Sequence, residues 1–100
     1  MINYSLTNKA AEDLAEIWNY TFETWSEKQA DNYYHMLLDS CQDIALDRVR
    51  GMKYEGLIVS VLGVKVGRHI IFYRKAVNNK IEILRILHEK MDLKNRIKEK

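Results

Sequence analysis

The spacing of apolar residues changes once along this chain, and that change limits the fold most strongly. From Ala10 to about Asp47 the apolar side chains recur at helical spacing, whereas residues 58–88 form runs rich in β-branched side chains. The helical part predicts a first helix over residues 8–25, with Thr7 or Asn8 as its N-cap.

A second helix is indicated by a capping-box pattern, in which Ser26 is followed three residues later by Gln29. Its apolar stripe continues to about Asp47. Because almost no residues separate the two helices, we expect them to fold back on each other as an antiparallel hairpin.

The β-rich part predicts three strands, over residues 58–66, 68–75 and 80–88, joined by short turns at Gly67 and Asn78-Asn79. Residues 2–6 alternate like a half-buried strand, and residues 90–100 are mostly charged and predict a short helix or tail. One hundred residues suffice for one core. We therefore expect a single α+β domain over residues 1–100, with a helix hairpin on a small antiparallel sheet in the order β-α-α-β-β-β.

A two-residue turn at Asn78-Asn79 would set the register of the last hairpin. Lys75 would then face Glu82, and His69 would face His88. Alternation would place three arginines on the face opposite the two histidines, alongside Ile70: Arg68, Arg74 and Arg85. The helix hairpin covers one face, and something must at least partly cover the other.

Charge is distributed unevenly. Residues 1–47 hold two basic and nine acidic side chains, whereas residues 48–100 hold fourteen basic and five acidic ones. This pattern suits an acidic partner such as nucleic acid or an acidic protein, unless the halves neutralise each other. A single cysteine, Cys41, excludes an internal disulfide, and no membrane-length run or signal pattern is present, so we expect a cytoplasmic protein. No motif points to a nucleotide or organic cofactor.

The histidines and arginines are the candidates for chemistry. His69 and His88 could act as acid and base, or they could simply hydrogen-bond to each other or to the backbone. No third ligand is positioned beside them, so we expect no metal site. The arginines could grip phosphate or carboxylate groups, or pair internally with the acidic helices or Asp92.

Aromatic residues crowd the helix hairpin at helical spacing: Tyr20, Trp25, Tyr33 and Tyr34. Most such residues belong to a core, so we expect these to be buried. A two-helix layer cannot bury all of them, and Tyr33 is the one expected to be exposed.

Motifs spread over nearly the whole chain resemble the ParE branch of the RelE/ParE toxin superfamily of bacterial type II toxin–antitoxin modules. The matching positions are Tyr4, Leu6-Thr7, Ala10, Asp13-Leu14, Ile17, Tyr20, Trp25, Gln29-Ala30, Tyr33, Gly51, Gly67, His69 to Arg74, Ile83, Arg85 to His88 and Asp92. Family members often have a proline before the Gly51 position, and this chain has none.

The resemblance implies a toxin that a small ParD-like antitoxin neutralises in a hetero-oligomer by laying a tail across apolar grooves. ParE-like toxins are ascribed DNA gyrase as target, whereas RelE-like relatives cut mRNA on the ribosome. Ribonuclease relatives have an arginine at the position of Ile70, and only Lys65 matches their pair of basic residues on the preceding strand. The resemblance thus favours gyrase inhibition without catalysis.

The alternative is a ribosome-dependent endoribonuclease that would use His88, His69, Arg68 and Lys65. A degenerate toxin that keeps only antitoxin binding is a third hypothesis. Residues nominated for the surface that binds target or antitoxin are Arg68, His69, Tyr73, Arg74, Arg85, His88 and Asp92.

Overall fold

A computed structural model of the chain describes residues 4–54 and 60–90. Its elements are β1 (Tyr4–Leu6), α1 (Asn8–Thr24), α2 (Glu27–Ala45), β2 (Leu62–Val66), β3 (His69–Lys75) and β4 (Ile81–His88). The predicted α+β class and element order are confirmed. The predicted terminal helix or tail, from residue 91 onward, lies outside the described residues.

Side-chain caps begin both helices. The Thr7 hydroxyl accepts the Ala10 amide hydrogen at 3.1 Å, and the Ser26 hydroxyl accepts that of Gln29 at 3.1 Å. Trp25 ends α1, with its amide donating to the Thr21 carbonyl. The two helices therefore reverse direction over two residues, as the sequence predicts. No helix among the described residues is long and apolar enough to cross a membrane.

The sheet is mixed, with strand order β1-β4-β3-β2. The last three strands form the predicted antiparallel meander, whereas β1 pairs in parallel with the start of β4. The Thr7 amide extends this pairing by donating to the Ile83 carbonyl at 3.0 Å. The chain then turns away from the edge of the sheet and enters α1, so β1 pairs with only the first three residues of β4.

The predicted register of the last hairpin is correct at the His69–His88 end and shifted near the turn. Three residues, Val77–Asn79, form the turn, and both asparagines have positive φ, a conformation that asparagine tolerates well. Arg74 rather than Lys75 therefore faces Glu82. An irregularity between Phe72 and Tyr73 restores the predicted pairing beyond it, so His69 does face His88.

Each face of the sheet carries an apolar cluster. The helix-facing cluster includes Leu37, Cys41, Ile71, Ile83 and Ile86, all 4% exposed or less. The opposite cluster consists of Val61, Ile70, Phe72, Leu84 and Leu87. The predicted register places Leu84 on the face of the two histidines and Ile83 on the face of Ile70, and the shift exchanges these two residues.

Residues 52–54 cover part of the second face. Met52 and Gly63 exchange two backbone hydrogen bonds of 2.8 Å, which bring the segment alongside β2. The ring of Tyr54 then packs edge-on against Phe72, with centroids 5.6 Å apart. The cover that the half-apolar face requires comes in part from the chain itself.

Candidate functional site

A groove lies at the end of the sheet where β3 begins and β4 ends, and we name it the histidine groove. Its volume is about 440 Å³, which is in the range of small-ligand sites. The helices contribute Tyr20, Thr21, Trp25, Gln29 and Tyr33 to its lining. The sheet and its turn contribute Arg68, His69 and His88. Three nominated residues are thus brought together beside aromatic residues that were not nominated.

The Tyr33 hydroxyl organises the sheet side of this groove. It lies 2.7 Å from His69 Nδ1 and 3.4 Å from the Val66 carbonyl oxygen, and it accepts the Arg68 amide hydrogen at 3.1 Å. Gly67 has a φ of +58°, and a Cβ there would lie 2.8 Å from Tyr33 Oη. Tyr33 is half-buried, so the prediction that it is exposed is wrong. Its hydroxyl instead links α2 to the β2–β3 turn through these contacts.

Hydrogen bonds hold both histidine rings at Nδ1. Tyr33 Oη and His69 Nδ1 lie 2.7 Å apart, and the Lys90 amide donates to His88 Nδ1 at 3.1 Å. Because Nδ1 of His88 accepts, that ring presents an N–H at Nε2. Burial and the proximity of His88 lower the pKa of His69 from 6.5 to about 4, so its ring is neutral at pH 7. The rings lie edge to face, 5.3 Å apart.

A second groove of about 450 Å³ runs between α1 and β4, and we name it the α1 groove. The two grooves meet at Tyr20, His69 and His88. Along α1 the second groove presents Glu12, Asp13 and Glu16, with Lys9 at the same helix end. The combined cleft therefore changes from acidic beside α1 to rich in hydrogen-bond donors beside the histidines. Among the described residues, no group of three His, Cys, Asp or Glu side chains is placed to hold a metal.

Asp13 and Arg85 form a bidentate ion pair at the wall of the α1 groove. The Nε–Oδ2 and Nη2–Oδ1 distances are 2.8 and 3.0 Å, and the side chains are only 9% and 11% exposed. The same Oδ2 accepts the Ile86 amide hydrogen at 3.0 Å. Of the two roles that the sequence leaves open for Arg85, internal pairing is the one found. Arg85 also lines a pocket near the start of α1 together with Arg74, one of the two arginines predicted to share its face.

Two further nominated residues lie elsewhere. Arg74 pairs with Glu82 at 2.8 Å, on the strand segments near the start of α1. Tyr73 is 4% exposed and accepts the Gly51 amide hydrogen at 2.9 Å, so it holds the loop after α2 and does not lie on a surface. Asp92 is outside the described residues. The nominated set is therefore divided, and its accessible cluster is the histidine groove.

The aromatic side chains of the hairpin differ from the sequence prediction in their burial. Tyr20 is 68% and Trp25 is 73% exposed, whereas Tyr34 is half-buried against the core. The buried stripe of α1 ends at Thr21, and Trp25 follows the last helical residue, so neither exposed ring belongs to the core. Their direction depends on how the hairpin sits on the sheet, which residue spacing within one helix does not specify.

Comparison with known proteins assigns the family. Residues 4–93 match the family model described as ParE toxin of type II toxin-antitoxin system, parDE. The chain belongs to the ParE toxin family. Toxin ParE1 of Caulobacter vibrioides is 34% identical over 89 residues, which cover 89% of this chain and 91% of that protein. Toxin ParE1 of Mycobacterium tuberculosis is 29% identical over 90 residues, which cover 90% and 92%. The resemblance found in the sequence is confirmed.

A solved structure shares the ParE fold seen here. It is titled "Chromosomal ParDE TA system from P. aeruginosa" and superposes with a TM-score of 0.72 at 20% identity, covering 88% of this chain and 96% of that chain. At that identity the likeness supports the fold alone.

In this ParE-family chain, three positions bear on the choice between a ParE-like and a RelE-like function, namely Ile70, Lys65 and Arg68. Ile70 is 4% exposed in the apolar cluster on the sheet face away from the helices. Lys65 pairs with Glu89 at 3.0 Å. Arg68 lies in the turn, beyond the end of strict strand alternation, so it lines the same groove as His69 rather than lying beside Ile70. That part of the predicted face assignment is wrong.

Proposed function

We propose that this chain arrests growth by inhibiting DNA gyrase, without chemistry of its own. We further propose that a ParD-like antitoxin neutralises it in a cytoplasmic hetero-oligomer. Membership of the ParE toxin family over residues 4–93 supports the role as a toxin. The observation that carries the choice of gyrase over the ribosome is the buried Ile70 directly after His69, where ribonuclease relatives have an arginine.

RNA cleavage through the 2′-hydroxyl needs a base with a free lone pair, a cation at the phosphorane-like centre and an acid for the leaving group. The Nδ1 atom of His88 accepts the Lys90 amide hydrogen, and Nδ1 of His69 is engaged with the Tyr33 hydroxyl at 2.7 Å. The position after His69 holds buried Ile70 instead of a cation. These features favour a binding surface over a catalytic centre.

The test is a gyrase assay with the purified chain. We expect loss of supercoiling and accumulation of covalent gyrase–DNA complexes, trapped by detergent and protease. Normal supercoiling without trapped cleavage would exclude gyrase as target. A matched pair of variants locates the surface, because Arg68→Ala alters the histidine groove, whereas Arg48→Ala removes the same charge from an exposed ion pair with Asp43. Only the first should weaken trapping if this groove contacts the target.

An endoribonuclease is the alternative, and one observation favours it: Arg68, His69 and His88 do line one groove. Primer extension on mRNA from a translating extract, with and without the chain, separates the two functions. New cleavage ends that disappear with His88→Ala would support the ribonuclease. For a gyrase inhibitor we expect intact mRNA and normal translation in the extract that contains the chain.

Neutralisation is tested by induction in cells. Growth should stop when the chain is induced alone and resume when a ParD-like protein encoded beside it is co-expressed. Co-purification of the two proteins would establish the hetero-oligomer. Copurification without any growth arrest would indicate a degenerate toxin that retains only antitoxin binding.

A further inference from the structure

The lining of the histidine groove differs in charge from the two helices that flank it. Both helices that flank it are acidic overall, yet none of the described residues lining it bears a carboxylate. Arg68 supplies a permanent positive charge there and is exposed. Glu89 follows His88 but is paired with Lys65 at 3.0 Å. An anionic group would therefore be attracted to this end of the cleft and repelled by Glu12 and Glu16 at the other.

Hydrogen-bond donors dominate the same lining. Because His88 accepts at Nδ1, it presents an N–H at Nε2, and Arg68 adds a guanidinium with five N–H groups. Such a set matches a phosphodiester, which offers only acceptor oxygens at neutral pH. The groove is accordingly suited to an anion by charge and by hydrogen-bond polarity.

Two exposed aromatic rings stand on the helix side of the groove. Trp25 and Tyr20 are more exposed than Trp18 and Phe22 of α1, and within the described part of the chain neither stacks on another ring. Trp18 and Phe22 provide the contrast, because they stack on each other at 5.2 Å and Trp18 also donates to Asp31. Exposed flat rings beside an anion site are the usual platform for an unpaired base.

We infer that the histidine groove binds one nucleotide of a single-stranded nucleic acid. The base stacks on Trp25 and Tyr20, and the adjoining phosphodiester accepts hydrogen bonds from Arg68 and the Nε2–H of His88. The Gln29 amide, which also lines the groove, can hydrogen-bond to the edge of the base. No bond is made or broken. This binding is a property of the isolated chain and goes beyond gyrase inhibition.

The experiment measures tryptophan quenching and fluorescence anisotropy with oligothymidylate and oligouridylate of about eight nucleotides. Trp18→Phe leaves Trp25 as the single tryptophan, so quenching in that variant reports on the groove directly. We expect quenching by single strands, and much weaker binding to a blunt duplex of the same length because its bases are not available for stacking.

Two substitutions with matched controls decide the result. Trp25→Ala should weaken binding roughly 5- to 100-fold, whereas Phe22→Ala, an exposed ring on the same helix, should not. Arg68→Ala should weaken binding and reduce the salt slope by about 0.7, and Arg48→Ala should leave the slope unchanged. Circular dichroism before each titration confirms folding, which is expected because the substituted side chains are exposed.

Absence of Trp25 quenching, or equal affinities for the groove variants and their controls, would overturn the inference. That failure is distinguishable from failure of the proposed function. A chain that traps gyrase–DNA complexes but binds no oligonucleotide would refute only the nucleotide site. A chain that binds oligonucleotide through Trp25 and Arg68 but leaves gyrase active would refute only the gyrase target.

Discussion

The buried ion pair between Asp13 and Arg85 should carry a large part of this fold's stability. Asp13→Ala removes two hydrogen bonds from a guanidinium that is 11% exposed and leaves the Ile86 amide without its carboxylate acceptor. Breaking a buried pair from one side typically costs about 3–5 kcal/mol. Because Arg85 borders the α1 groove and water can reach it there, we expect about 3 kcal/mol, near the lower end.

A second ion pair with the same shortest distance serves as control. Arg74 and Glu82 also approach to 2.8 Å, but their side chains are 39% and 30% exposed. Exposed pairs contribute about 0–1 kcal/mol, so Glu82→Ala should have a small effect. The two variants separate the effect of burial from that of simple charge removal.

The assay is urea unfolding followed by circular dichroism. With a slope near 1.5 kcal/mol per molar urea, Asp13→Ala should lower the midpoint by about 2 M. The double variant Asp13→Leu with Arg85→Met should recover much of this loss, because it leaves no buried charge. The reasoning is refuted if Asp13→Ala lowers the midpoint no more than Glu82→Ala, or if the effects of the two substitutions in the double variant simply add.

Three other predictions concern single sites. Gly67→Ala should lower the unfolding free energy by about 1–2 kcal/mol in the same assay, because of the positive φ and the contact with Tyr33. Between pH 7 and pH 5 the unfolding free energy should fall by about 1 kcal/mol because of His69, a value reduced to allow for the partial solvent exposure of its ring. His69→Gln should reduce this fall. The sign follows because the unfolded ring binds a proton below about pH 6.5 while the folded ring, with a pKa of about 4, stays neutral. Cys41 is buried and burial raises its pKa to about 12, so it should react with a thiol reagent only as fast as the chain unfolds.

The elements of this fold could be predicted because their signals are local. Thr7, Ser26 and the residues that follow each of them specify where the helices begin, and Gly67 marks the turn between β2 and β3. The parallel pairing of β1 with β4 is not local, since it joins residues almost eighty positions apart. No periodicity in either segment indicates its partner.

The candidate site was predictable only in part for the same reason. His69 and His88 were paired correctly although the turn between the strands was one residue longer than expected, because the irregularity in the ladder compensated for it. The environment of His69 also depends on Tyr33, which reaches it from α2. A side chain's role in joining two elements follows from the packing of those elements, and sequence spacing within either one does not reveal it.

The ion pairs of the folded chain show how its acidic and basic halves interact. Of the ion pairs between described residues, Asp13–Arg85 and Asp43–Arg48 join the acidic and basic halves, whereas Arg74–Glu82 and Lys65–Glu89 lie within the basic half. Among the described residues, these pairs therefore account for only part of the neutralisation between the halves. What remains is arranged along one cleft, with carboxylates beside α1 and donors beside the histidines. A bound strand would be oriented by this polarity, with its phosphate held at the histidine end and away from α1.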